Sequence, residues 1–265
     1  MSDELLWSSP RGSARVTREG GLTLRFESDR DWLDLARLRL RRVASLDEAV
    51  LLPLSHETVE DDGASLPALV ARHEDASSIP RSAWSPGRAA ALVVALAPVV
   101  RAVQAQRDPF PLGPFEPALM VAHEGRDRVL FPGLVPLAQS HDQGMRGIRG
   151  GSIVRHHRAS PDLLRGELAL PHEVFCLAVL AIELVCGREP FDTRDTMTYL
   201  RALTEGRAAP LETLVPAYQP ATRERLDAAL APDPAARPSL DELVAALEAE
   251  VQRSGPTRRP WWRFW

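Results

Sequence analysis

Few residues in this chain are grouped for chemistry, and two types that commonly serve it are missing. Lysine and asparagine occur nowhere in the 265 positions, so all 32 basic residues are arginine, as codon usage in a GC-rich bacterial genome would give. His156 and His157, flanked by Arg155 and Arg158, suggest a metal or phosphate site by type. Neighbouring side chains on an extended segment point to opposite sides, however, and no Cys, Asp or Glu stands at ligand spacing, so an ordinary exposed segment is expected. Cys176 and Cys186 lie in one apolar run; on a helix they face different ways, which predicts two buried thiols and neither a disulfide nor a metal pair. There is no Gly-x-x-x-x-Gly-Lys-Ser loop, no Gly-x-Ser-x-Gly elbow and no dinucleotide fingerprint.

The length suits one domain of two lobes, or two small domains. Hydrophobic residues make up 45% and charged residues 26%, the balance of a soluble globular protein. A net charge of -4 speaks against general nucleic-acid binding, which needs a basic footprint. Residues 1–7 lack a basic region followed by an apolar stretch, so no signal peptide is expected. The apolar runs 89–100 and 174–186 fall short of the roughly 20 residues that span a bilayer and predict buried helices. The expected location is the cytoplasm.

The elements that would position any site change character along the chain. Residues 5–7, 14–17 and 22–26 alternate as strands do, with Gly20-Gly21 as a hairpin turn. Residues 29–43 carry apolar positions near helical spacing, capped by Asp29 or Asp31. Strands are expected at 49–54 and 66–71, around a polar turn at Glu60 to Gly63. Ser85-Pro86 then opens a helix over 87–106, followed by a proline-rich loop at 108–117 and a hairpin over 118–131. Residues 139–151 hold four glycines and read as a loop. Helices are expected at 170–186, 193–205, 221–230 and 239–251, the last with Ser239 and Glu242 as a capping box.

Four motifs in this second half carry a family resemblance. Ser160-Pro161-Asp162 resembles the Ala-Pro-Glu that closes a kinase activation segment. Glu173-Val174-Phe175-Cys176-Leu177-Ala178 resembles the Asp-x-aromatic-Ser-Leu-Gly that opens the buried central helix. Glu183-Leu184 with Gly187-Arg188-Glu189-Pro190-Phe191, and Asp233-Pro234-Ala235-Ala236-Arg237-Pro238-Ser239, follow in the family's order. Over about residues 155–250 the chain resembles the bacterial Ser/Thr protein kinases. The resemblance implies an α+β, two-lobe fold: a small antiparallel lobe with one helix at 1–80, a larger helical lobe at 81–252, and a tail at 253–265. It also implies a buried structural pair between Asp162 and Arg237, matching the family's Glu–Arg bridge.

The same resemblance locates what is missing. Phosphoryl transfer in protein kinases uses a strand lysine on the nucleotide phosphates, plus an aspartate and an asparagine on the metals. Arg25 stands at the lysine position, Leu112 at the catalytic aspartate, Pro117 at the metal asparagine and Phe131 at the metal aspartate. The glycine loop is reduced to Gly12 with Ala14 nearby. The helix over 29–43 has no Glu to pair with the strand cation, leaving Asp34 as the substitute. Arg107-Asp108 spells the family's Arg-Asp, which makes Asp108 an outside candidate for a general base. The expected reading is a catalytically inactive kinase-like module that binds or scaffolds, without cofactor or metal; the alternatives are an ATP-binding sensor or a weakly active kinase.

The tail is the remaining oddity. Residues 258–265 read Arg-Arg-Pro-Trp-Trp-Arg-Phe-Trp, and Trp and Arg are the types most enriched at binding hot spots. Trp261, Trp262, Arg263, Phe264 and Trp265 are therefore expected to dock. Three surfaces would take them: the chain's own helical lobe, a protein partner, or a membrane interface.

Overall fold

The computed structural model describes residues 4–9, 12–17, 22–28, 34, 37–39, 41–43, 51–52, 55–61, 64–73, 77–78, 84–115, 117, 120–123, 126–130, 160–162, 170–192 and 195–254. Contacts divide the chain into two units: Met1–Ile79 with Val99–His157, and Pro80–Pro98 with Arg158–Trp265.

The first unit is built on a five-stranded antiparallel sheet in the order β1-β2-β3-β6-β5. Its strands are β1 (Glu4–Ser9), β2 (Gly12–Thr17), β3 (Leu22–Ser28), β5 (Ser55–Asp61) and β6 (Ala64–His73). Val16 pairs with Leu24 and Leu24 with Ala71, so apolar positions fall in register across the middle of the sheet. Pro67 is tolerated in β6 because the β3–β6 pairing ends at Glu27 and Ala68, leaving Pro67 beside Thr58 of β5 only.

One strand differs from expectation. The fifth strand is Ser55–Asp61, not 49–54, and it takes in residues expected to turn. Its polar sequence hid it, since hydrophobic alternation is the signal a strand usually gives. Of the expected strand, Leu51–Leu52 lies among the described residues and forms β4. β4 instead joins a second sheet in the order β4-β9-β8-β7, with β7 (Ser77–Ser78), β8 (Met120–His123) and β9 (Arg126–Leu130). β4 lies parallel to β9, pairing Leu51 with Val129, and the β8–β9 hairpin matches the one expected at 118–131. Residues 34, 37–39 and 41–43 are helical and form α1. The Gly20-Gly21 turn and the loop at 139–151 lie outside the described residues.

The second unit is helical. α2 (Pro86–Gln104), of which the part up to Pro98 is counted in this unit, begins as expected: the Ser85 hydroxyl accepts from the Arg88 N–H at 3.3 Å, and Pro86 fills the first helical position. By length and composition α2 would reach across a bilayer, but 56% of its apolar window is buried within the protein. Ala89, Ala90, Leu92, Val93, Leu96 and Ala97 are at most 3% exposed, which makes this stretch a core helix.

α3 (Leu170–Cys186) is the centre of the unit, buried without interruption from His172 to Leu184. A helix buried around its whole circumference is stable only when other elements surround it. Phe191, just beyond it, stacks on Phe175 at 5.9 Å and meets Tyr199 edge-on at 6.3 Å, so the Pro-Phe motif is a packing element.

α4 (Thr196–Glu205) starts later than expected, because Asp195 is the residue whose carboxylate caps it, accepting from the Thr198 N–H at 2.8 Å. The short α5 (Leu211–Leu214) gave no sequence signal. α6 (Pro220–Ala229) and α7 (Leu240–Ser254) complete the unit, with a 3-10 turn at Pro234–Ala236 between them. The capping box is present: Glu242 N–H donates to the Ser239 hydroxyl at 3.2 Å and Ser239 N–H to the Glu242 carboxylate at 2.8 Å.

The last helix outruns the expected end near Val251. Its final residue meets the start of α2, where a Cβ on Gly87 would stand 2.2 Å from the Ser254 hydroxyl. Glu250, fully buried, anchors this end by accepting from the Gln219 N–H at 2.6 Å and from Arg253 at 2.8 Å.

Candidate functional site

The structure brings Asp162 and Arg237 together across 75 residues of chain. Arg237 Nη1 donates to Asp162 Oδ2 at 2.5 Å and Nη2 to Oδ1 at 3.1 Å, a two-pronged pair whose side chains are 0% and 4% exposed. The other three N–H groups donate to backbone carbonyls: Nε to Ala231 at 2.8 Å, Nη1 to Pro171 at 2.9 Å and Nη2 to Pro232 at 3.3 Å. All five donors of the guanidinium are thus used, and its carbon lies 5.1 Å over the Phe175 ring. One side chain ties the 160–162 segment, the start of α3 and the turn before α7 into a single knot.

Beside it lies a pair that the sequence did not announce. The Ser160 hydroxyl and His172 Nδ1 are 2.8 Å apart, with Cys176 Sγ 3.6 Å from Nε2. A serine on a histidine is the start of a hydrolytic constellation, but here Ser160, His172 and Cys176 are at most 1% exposed. Burial first, and then the Glu173 carboxylate, push the Cys176 thiol well above its usual range. A thiol held protonated away from solvent is no nucleophile, and the group serves as polar packing around the bridge. Cys186, half-buried, is also pushed upward, chiefly by burial. Both cysteines are free.

The residues at the expected catalytic positions are arranged differently. Leu112 is wholly buried and Pro117 is buried, as is Phe115 between them. An apolar core therefore occupies the stretch where the resemblance puts an aspartate and an asparagine. Asp108 stands at the surface, its side chain 82% exposed, and Arg42 of α1 donates to its carbonyl at 3.0 Å and its carboxylate at 3.4 Å. Nearby, Arg39 lies 4.9 Å over the Phe110 ring, and Gln104 donates to the Phe110 carbonyl at 3.3 Å. Burial pushes Arg39 down to about 10; Asp108 works against that shift and Arg42 adds to it.

Arg25 sits mid-strand in β3, opposite Arg15 and Val70, and Asp34 bonds Arg37 at 3.5 Å on the exposed side of α1. Gly12 opens β2 opposite Ser9, and Ala14 pairs with Trp7. Among the described residues no group of three or more His, Cys, Asp or Glu could hold a metal. Phe131, the His156-His157 segment and residues 255–265 of the tail, with Trp261, Trp262, Arg263, Phe264 and Trp265, lie outside the described residues, whereas Arg253 and Ser254 belong to α7.

Three comparisons bear on this arrangement. No protein-family model matches the chain, and no curated protein does. A solved structure of the protein kinase Rad53, residues 1-466 in complex with AMP-PNP, is similar over 94% of this chain at a TM-score of 0.60 and 12% identity. The chain spans 64% of the length of that one. At this identity the likeness establishes a protein kinase-like fold and leaves activity to be argued from residues.

Proposed function

We propose that this chain is a pseudokinase: a two-lobed kinase-like module, with lobes at about 1–80 and 81–252, that binds or scaffolds partners and transfers no phosphate. One observation carries the reading. A kinase-like fold whose 265 residues include neither lysine nor asparagine lacks the phosphate-binding amine and the second metal's amide ligand in every alignment. Arginine does not replace that lysine, because a broad planar fork cannot act as a compact point charge. The buried bridge fits this reading, since such a pair keeps the fold whether or not the site works.

Asp108 is the one residue from which weak activity could arise, and its position on Arg42 in the open does not favour a base. Binding of ATP without turnover is the second reading, favoured by the fold neighbour's complex with AMP-PNP. The tail, 253–265, is the proposed docking element for a cytoplasmic protein partner, with a membrane surface as the lesser alternative. Incubation with ATP and magnesium tests the main reading: no phosphate transfer to itself or to generic substrates is expected. Autophosphorylation abolished by Asp108→Ala would overturn it. A thermal shift by ATP without turnover would favour the sensor, and loss of partner capture or of liposome association on truncation after Arg253 would assign the tail.

A further inference from the structure

We infer that the groove between α6 and α7 receives the chain's own arginine- and tryptophan-rich tail and covers its rings until the tail docks elsewhere. The inference rests on the reading of the tail as a docking element and adds where that element is kept beforehand. The groove has a volume of about 520 Å³ and is lined by Ala221, Glu224 and Arg225 of α6 and by Glu242, Ala245 and Ala246 of α7. Ligand pockets span roughly 300–1,000 Å³, and this one falls within that range. The two helices run antiparallel along it: the Gln219 N–H bonds Glu250, the Thr222 hydroxyl bonds the Ala246 carbonyl at 3.4 Å, and Arg225 meets Glu242 at 3.7 Å. Three alanines, with nothing beyond the β-carbon, leave the hollow between them. Ala221 and Ala245 are exposed, so the apolar part of the lining is open to a ring.

Reach and charge select the occupant. α7 lines the groove with its first half and ends at Ser254, where the tail begins. Ala246 lies eight residues before that end and Glu242 twelve, about 12 and 18 Å along a helix axis. Gly255-Pro256 is a pair suited to turning the chain back, and residues 257–260, extended, cover about 13 Å. A chain reversed there brings Trp261 and Trp262 level with Ala245 and Ala246, and Arg263 level with Glu242. Large aromatic rings left in water make the kind of apolar patch that seeks cover, and each buries about 150–250 Å² when covered. The charges also match. α6 and α7 carry six acidic residues against three arginines, whereas residues 255–265 carry three arginines and no acidic side chain.

The test is timed digestion of the full chain with trypsin, read by intact mass. Trypsin cuts after Arg258 and Arg263, while Pro260 shields Arg259, so release of the tail's end reports how often it leaves the groove. Ala245→Arg places a long cation in the groove at an exposed helical position that arginine suits. It should speed cleavage at both sites by roughly tenfold, with the melting temperature of the domain unchanged. Glu212→Gln makes the same change of net charge on α5, outside the groove, and should leave the rate alone. Cleavage equally fast in the unaltered chain and in Ala245→Arg would overturn the proposal, and so would protection that grows with protein concentration, since a second copy would then hold the tail. Truncation after Arg253 tests the docking reading separately. If it abolishes partner capture while Ala245→Arg leaves cleavage unchanged, the groove fails and the docking reading stands. Faster cleavage in Ala245→Arg, with capture indifferent to truncation, would keep the groove and remove the docking reading.

Discussion

Arg237 and Arg39 each lie over a phenyl ring, at 5.1 Å from Phe175 and 4.9 Å from Phe110, and they part company in what surrounds the rest of the guanidinium. Around Arg237 every N–H has an acceptor and the charge has a buried carboxylate of its own. Around Arg39 the inner Nη1 has none, and Asp108, whose charge it feels, is exposed and bonded to Arg42. Burial penalises the charge of both, but only Arg237 recovers the loss through its partners. The helical unit therefore uses its arginine as a keystone, while the first unit leaves one incompletely bonded.

That contrast can be broken or sharpened by substitution. The largest effect should come from Arg237→Ala, which strands Asp162 in a site almost closed to solvent. A loss of about 3–5 kcal/mol is expected, read by denaturant unfolding; a neutral result would mean that the bridge carries no weight. Next comes Gly87→Ala, which places a methyl against the Ser254 side chain and should cost about 1–3 kcal/mol as overpacking. Ser254→Gly in the same chain should restore most of it. Ser239→Ala removes half of the capping box and should cost about 1 kcal/mol, seen as a lower melting temperature. Smallest of all should be Arg39→Met. Replacing a poorly paired buried charge by an apolar chain of similar size is neutral or stabilising, so a large loss there would erase the distinction between the two arginines.

The capping carboxylates add a pH test. Hydrogen bonds from Thr198 to Asp195 and from Ser239 to Glu242 hold both acids below their ordinary values. Groups depressed in the folded state contribute stability that is complete above the unfolded value and lost as pH falls through the folded one. Melting temperature should therefore fall on acidification below the ordinary carboxylate range, and Glu242→Gln should flatten that fall.

What the sequence disclosed followed the strength of its patterns. α3 was bounded to the residue because its thirteen consecutive buried positions leave a long, nearly unbroken apolar run in the sequence. The box at Ser239 and Glu242 was legible because it is a local rule with two fixed positions. β5 was not, since Ser-His-Glu-Thr-Val-Glu-Asp owes its place to pairing with β6 across a turn and not to its own hydrophobicity. Ser160 and His172 were invisible for a related reason: their meeting depends on the fold between them. Arg39 gave no sign either, because one arginine among 32 is distinguished only by what it fails to touch.

The division of the helical unit into two stretches, Pro80–Pro98 and Arg158–Trp265, has a consequence for synthesis. α2 leaves the ribosome long before the helices that cover its apolar side. Even within the later stretch, Asp162 waits 75 residues for Arg237, roughly 4–15 s at ordinary elongation rates of about 5–20 residues per second. Throughout that interval the nascent chain carries an uncovered apolar helix and an unpaired acid. Chains stalled before Arg237 should accordingly be held by chaperones, and those released after Ser254 should not.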